Sequence, residues 1–257
     1  MSEILQRATP HDLGAQRPLP GVAPLDPAAW LHVDEAFGAQ MAERARLLRE
    51  ARAEVVAMTE GARPACDELL QTVLAWLAAH APGYAVGEAE VRRPDGVRIG
   101  IDRDDPLGTL GLLVQEDLCV MERRPGAAEH VLSAAVLCFP ASWRLADKIG
   151  RPLSEIHAPV PEYDGDLARR VQRLFDGVRE GRPLWRFNLL AYDSATLFQP
   201  VSRRDPRSPA TAPGAPYLRS ERQCVLRLPR TRACVFSIHT YVLRRGTAAG
   251  AGDAQID

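Results

Sequence analysis

The chain has 257 residues, of which 46% are hydrophobic and 25% charged, so it can bury a sizeable core and does not have the composition of a disordered protein. A formal net charge of −1, with no long run of one sign, argues against a protein that works by neutralising nucleic-acid phosphates. The five cysteines form no Cys-x-x-Cys pair, which argues against zinc or iron–sulfur sites and fits reduced, buried thiols.

Residues 1–29 are rich in proline (Pro10, Pro18, Pro20, Pro24, Pro27) and read as an extended leader. No secretory signal is visible there, and no apolar run approaches the ~20 residues needed to span a bilayer, so a cytoplasmic protein off the membrane is expected. Asp26-Pro27 is a helix-start signal. Residues 36–59 place Phe37, Met41, Ala45, Leu48 and Val55 near a helical period, and Gly61 and Pro64 break it. A second helix is expected over 65–80, with Leu69, Leu70, Val73, Leu74 and Leu77 on one side. The two read as a helical hairpin covering another layer.

From Tyr84 the period changes to alternation around Pro94-Asp95-Gly96, a hairpin signal. Residues 109–122 are ambiguous between helix and strand, and 130–139 read as a buried strand. Gln115, Glu116 and Asp117 interrupt an apolar run, where unpaired charges are costly. They are either functional carboxylates or a strand end facing water.

An apolar run ends at Pro140, a short helical segment follows over 142–148, and Gly150 and Pro152 stop it. His157 then precedes Ala158-Pro159-Val160-Pro161. The prolines restrict the backbone on both sides, which suits a side chain presented at a fixed angle. Imidazole is both a metal or haem ligand and an acid–base group, although a packing role in the loop fits the residues too. Residues 164–179 are a helix, 184–198 a strand through Asn188, 217–228 a strand or short helix, and 232–243 a strong strand. The 200–216 stretch reads as a surface loop and 246–257 as a frayed tail. Helices first, then strands with an embedded helix, indicate α+β with an antiparallel sheet, one domain spanning 30–245.

Several segments together resemble one family. They are Cys138-Phe139-Pro140-Ala141-Ser142-Trp143, Lys148-Ile149-Gly150, Ile156-His157-Ala158-Pro159-Val160-Pro161, Gln115-Glu116-Asp117-Leu118 and Leu218-Arg219-Ser220-Glu221-Arg222-Gln223. The family is the haem-dependent oxidative N-demethylases, and the resemblance covers roughly residues 15–245. It implies a PAS-like fold binding haem b, and removal of an N-methyl group from a small secondary amine with O2. The methyl group is oxidised to a carbinolamine or iminium that collapses to formaldehyde and the shorter amine. No Gly-x-Gly-x-x-Gly loop for a dinucleotide is present, so electrons are expected from partner reductase subunits carrying flavin and an iron–sulfur centre.

The resemblance makes His157 the expected axial ligand, with His239 in Ser-Ile-His-Thr-Tyr the competitor. Phe139, Trp143, Ile149, Leu153 and Ile156 are candidates to line the haem slot. Arg219, Arg222 and Arg144 are candidates for its propionates. Glu116 and Asp117 are the candidate catalytic carboxylates for a cationic amine. Asn188, Tyr163, Tyr192 and Tyr241 are further candidate contacts, and His11, His32, His80 and His130 are expected to face solvent. Leu189 after Asn188, where the family often has Trp, puts the substrate in doubt more than the fold. A PAS-like haem or small-ligand sensor without turnover stays open. A Ser or Cys hydrolase lacks its Gly-x-Ser-x-Gly elbow.

Overall fold

The computed structural model describes residues 3–157, 165–201 and 214–246. The Pro159–Pro161 segment, Tyr163, most of the 200–216 loop and nearly all of the 246–257 tail lie outside the described residues.

The chain is α+β. Its main sheet has seven antiparallel strands in the order β1-β8-β9-β10-β6-β7-β2. These are β1 (Ala23–Pro24), β2 (Val56–Met58), β6 (Asp117–Glu122), β7 (Val131–Val136), β8 (Leu184–Tyr192), β9 (Tyr217–Arg227) and β10 (Cys234–Arg244). A small second sheet joins β3 (Ala85–Val86), β4 (Glu90–Arg92) and β5 (Arg98–Gly100). The β4–β5 turn falls at the Asp-Gly signal, with Gly96 at φ +81°.

The expected helix over 36–59 is shorter. α1 (Phe37–Glu50) ends where Ala51 leaves the helical region at φ −135°, a single turn α2 (Arg52–Val55) follows, and Val56 is already a strand residue paired with Val136. Strand pairing at the sheet edge overrides a helical pattern whose propensity alone is worth little. The expected hairpin partner, α3 (Arg63–His80), therefore starts after β2, and α1 and α3 both pack on α4 (Pro106–Leu113). The ambiguous 109–122 stretch holds both readings in series, the end of α4 and then β6.

Strand register gives the sheet two distinct faces. One row of paired residues runs Leu184, Val225, Phe236, Cys119, Ala135 across β8, β9, β10, β6 and β7. These side chains pack on α5 (Leu153–His157), α6 (Gly165–Gly177) and the 143–149 segment through Leu145, Leu153, Ile156 and Phe175. We call this the back face. The neighbouring row, Trp185, Cys224, Ser237, Leu118, Val136, belongs to the front face. Its apolar members join the larger core with Leu47, Leu69, Val73, Leu110 and Leu113 of α1, α3 and α4. All five cysteines are buried and unbridged.

Candidate functional site

His157 closes α5, which packs on the back face through Leu153 and Ile156. Its Nδ1 lies 2.9 Å from the carbonyl oxygen of Leu153. A carbonyl can only accept, so Nδ1 carries the proton and the lone pair of the neutral ring sits on Nε2. Burial lowers the His157 pKa to about 4, only partly offset by the Leu153 hydrogen bond, and nearby Lys148 lowers it further. At neutral pH the ring is therefore neutral imidazole, the form in which histidine can act as a metal ligand, with its orientation fixed through Nδ1.

Lys148 and Trp143 stand beside it. The Lys148 ammonium lies 4.3 Å from the centre of the Trp143 ring. Burial lowers the Lys148 pKa to about 8, with Cys119 and Glu221 of the back face and Asp147 acting the other way. Below them the back face of β8 and β9 carries Arg186 opposite Gln223 and Asn188 opposite Glu221. Arg186 donates to Gln223 Oε1 at 2.7 Å, but its buried Nε has no partner. Glu221 accepts from Asn188 Nδ2 at 3.0 Å and from Gln223 Nε2 at 3.2 Å, and Arg219 stands 3.6 Å away. Arg186, Asn188, Leu190, Gln223 and Phe236 stay half-buried.

The other expected site residues are dispersed. Arg219 shares the back face but braces loops, donating to the carbonyls of Leu197 and Phe139. Phe139 belongs to the larger core, 5.3 Å from the Arg44 guanidinium, away from Trp143. Arg222 is on the front face, where register pairs it with His239, and donates to the carbonyls of Trp30 and Ala29. Arg144 is exposed and donates to the Pro200 carbonyl. Tyr192 is bonded to Ser142, and Tyr241 to His32 on the front side.

Glu116 and Asp117 are neither facing water nor open to a substrate. Asp117 is fully buried, 2.7 Å from Arg44, and accepts the backbone N–H groups of Cys138 and Phe139 at 2.7 and 2.8 Å. Glu116 accepts from His239 Nδ1 at 3.0 Å and from the His32 N–H at 2.8 Å. Asp117 is thereby spent on internal partners, while Glu116 uses Oε1 alone and its buried Oε2 has no hydrogen-bond partner among the described residues.

His239 is a buried cation. Its Nε2 reaches Asp34 at 3.1 Å, so two carboxylates hold its two N–H groups. Burial pushes its pKa down, yet Glu116 and Asp34 together carry it up to about 9. Asp34 also accepts from Gln6 and Gln115, each at 2.9 Å, so the cluster fastens the N-terminal segment to the sheet. The histidines expected to face solvent divide: His80 does, but His130 is buried, and His11 and His32 are half-buried with burial and Arg222 lowering both to about 4.

Sequence reasoning missed Lys148 and Arg186 as site residues. Lys148 lay inside a quoted motif, but Arg186 gave no local signal, since only its strand register puts it on the back face. Among the described residues no His, Cys, Asp and Glu cluster forms a metal site, and no helix is long and apolar enough to cross a membrane. Haem asks less: one imidazole, an apolar slot and cations for two carboxylates. On the back face His157 offers a neutral imidazole, Trp143 and Phe236 are half-buried apolar side chains of one cluster, and Lys148 and Arg186 are half-buried cations. Residues 21–248 match the family model described as "Haem-dependent oxidative N-demethylase, alpha subunit-like", and the chain belongs to that family.

Proposed function

We propose that this chain is the haem-binding oxygenase component of an oxidative N-demethylase. It takes an N-methyl group from a small secondary amine and releases formaldehyde, with electrons from partner subunits carrying flavin and an iron–sulfur centre. The observation that carries this reading is the state of His157: neutral, proton on Nδ1, lone pair on Nε2. Haem b, when bound, would supply the oxygen activation and redox chemistry that side chains cannot.

The chain's own part is to bind, orient and exclude water. His157 would hold the haem iron, its ring fixed by the hydrogen bond to Leu153. Trp143 and Phe236 form apolar walls, backed by Leu145, Leu153, Ile156 and Val225. Arg219 acts on the site indirectly, by holding the Phe139 and Leu197 carbonyls and so the mouth of the 139–143 loop. Arg222 and Phe139 support the site from the front-face core. Among the described residues the back-face end of β8 and β9 offers an amine only one carboxylate, Glu221, already shared by Asn188 and Gln223. The amine is therefore held largely by aromatic and amide groups, Asn188 among them.

The test is an absorption spectrum of protein expressed with haem supply, with and without His157→Ala. A Soret band that is lost or shifted in the variant supports the site. Amine-dependent oxygen consumption and formaldehyde release with a reductase support the reaction. A wild type that resists haem reconstitution sinks the reading.

A further inference from the structure

The back face holds more positive charge than it can pair. Among the described residues, Lys148, Arg186 and Arg219 have two carboxylates acting on them, Glu221 on the face itself and Asp147 on Lys148, and neither forms an ion pair with Lys148 or Arg186. Arg219 donates through Nη1 and Nη2 to two loop carbonyls, stands 3.6 Å from Glu221, and also has a buried Nε without a partner. Arg186 has an amide partner in Gln223 and a buried Nε with none. Lys148 has the Trp143 ring beneath it and no carboxylate in contact among the described residues. A cation withdrawn from water without a counter-ion is costly. Buried guanidinium N–H groups are almost always satisfied, so an orphan one indicates a missing acceptor. Arg186 lies opposite Gln223 beside Glu221, and Lys148 sits on Trp143, which packs in the same cluster as Leu184 and Phe236 of that face, so the two flank one patch of sheet.

We propose that Lys148 and Arg186 form a carboxylate-binding pair on the back face, Arg186 through its forked donors and Lys148 as a point charge. This rests on the haem reading for its most direct occupant, the propionates of haem. The other source of the same chemistry is a substrate that carries an acid group beside its N-methyl amine. The pair displaces Arg222 from that role, because Arg222 is on the opposite face with its donors already engaged.

The experiment titrates wild type, Arg186→Gln, Lys148→Gln and the exposed-site control Arg173→Gln with haem and with haem dimethyl ester, reading affinity from the Soret band. Circular dichroism checks that each variant is folded. Propionate binding predicts roughly tenfold or greater loss of haem affinity in the two site variants and none in the control. It also predicts a similar loss for the ester in wild type, with little further loss on adding the substitutions. A second arm measures sarcosine and dimethylamine binding to the same proteins by calorimetry. Unchanged haem affinity with a selective loss of sarcosine binding assigns the carboxylate to the substrate. Site variants that match wild type in both arms overturn the proposal. Wild-type protein that takes up no haem removes the N-demethylase reading itself, and the calorimetric arm then decides the pair alone.

Discussion

His157 and His239 lie on opposite faces of the same sheet. His239 pairs in register with Arg222 on the front, while His157 sits on α5, whose Leu153 and Ile156 pack against the back. The two histidines are also in opposite charge states, one held neutral and one held as a cation by Asp34 and Glu116. They cannot be alternative ligands of one iron, because a backbone layer separates them.

Their alanine variants should therefore fail in different ways. His157→Ala is expected to lose or shift the haem spectrum with a modest change in stability. His239→Ala leaves buried Glu116 and half-buried Asp34 without their cation, which costs about 3–5 kcal/mol. Haem titration and urea unfolding on both variants make the test. A His239→Ala protein of wild-type stability with an altered Soret band would reverse the assignment.

The charge on His239 sets a pH dependence. Its folded pKa is raised from 6.5 to about 9, so its contribution to stability is fully present below 6.5 and is lost as pH rises through about 9. Lys148 runs the other way above about 8, because there the unfolded chain holds the extra proton. The comparison must therefore be wild type against His239→Gln. The stability gap between them should be widest near pH 6 and shrink by on the order of 1–3 kcal/mol by pH 9. On the acid side His11 and His32, held neutral down to about 4, favour the unfolded chain as pH falls below 6.5. A gap that stays constant from pH 6 to 9 would mean His239 is not the buried cation described.

Glycine 111 tests the packing of α4. In most helix interiors Gly to Ala stabilises by about 1 kcal/mol. Here a Cβ would stand 2.8 Å from Val136 and 2.9 Å from Leu48, wedged between β7 and α1. Overpacking of this kind costs about 1–3 kcal/mol, so Gly111→Ala is expected to destabilise. Thermal unfolding decides, and a raised midpoint would show that α4 has room to move.

Much of this arrangement was legible in the sequence and some was not. Alternation and turn signals gave the strands, because a half-buried pleat writes its period into the chain. The break at Ala51 was not legible, since the helical pattern runs on while β2 is recruited by its neighbour β7. Glu116 and Asp117 were rightly marked as costly charges in an apolar run, but their partners are distant in sequence. Arg44 gave a usable hint: it follows Phe37 and Met41 at helical spacing, on the inner face of α1, where a guanidinium needs a buried carboxylate. His157 and His239 could not be separated by pattern, because face assignment depends on register across three strands. Arg186 was invisible for the same reason.

That Arg44 pair also links the front-face core to the loop leading into the site. Asp117 joins Arg44 on one side and the N–H groups of Cys138 and Phe139 on the other. Arg44→Met should cost about 3–5 kcal/mol by stranding the carboxylate. Asp117→Leu should cost more, because it strands the guanidinium and two backbone N–H groups, each worth about 1–3 kcal/mol when left unmade. The double variant removes both charges, so it should be more stable than the sum of the single losses predicts, by about 0.5–3 kcal/mol. It should still fall short of wild type, since nothing replaces the acceptors for residues 138 and 139. Hydrogen exchange locates that residual loss: the Cys138 and Phe139 amides should exchange faster in both variants lacking Asp117 and remain more protected in Arg44→Met. Strictly additive losses, or equal protection of those amides in all three proteins, would show that Asp117 does not couple the helix to the loop.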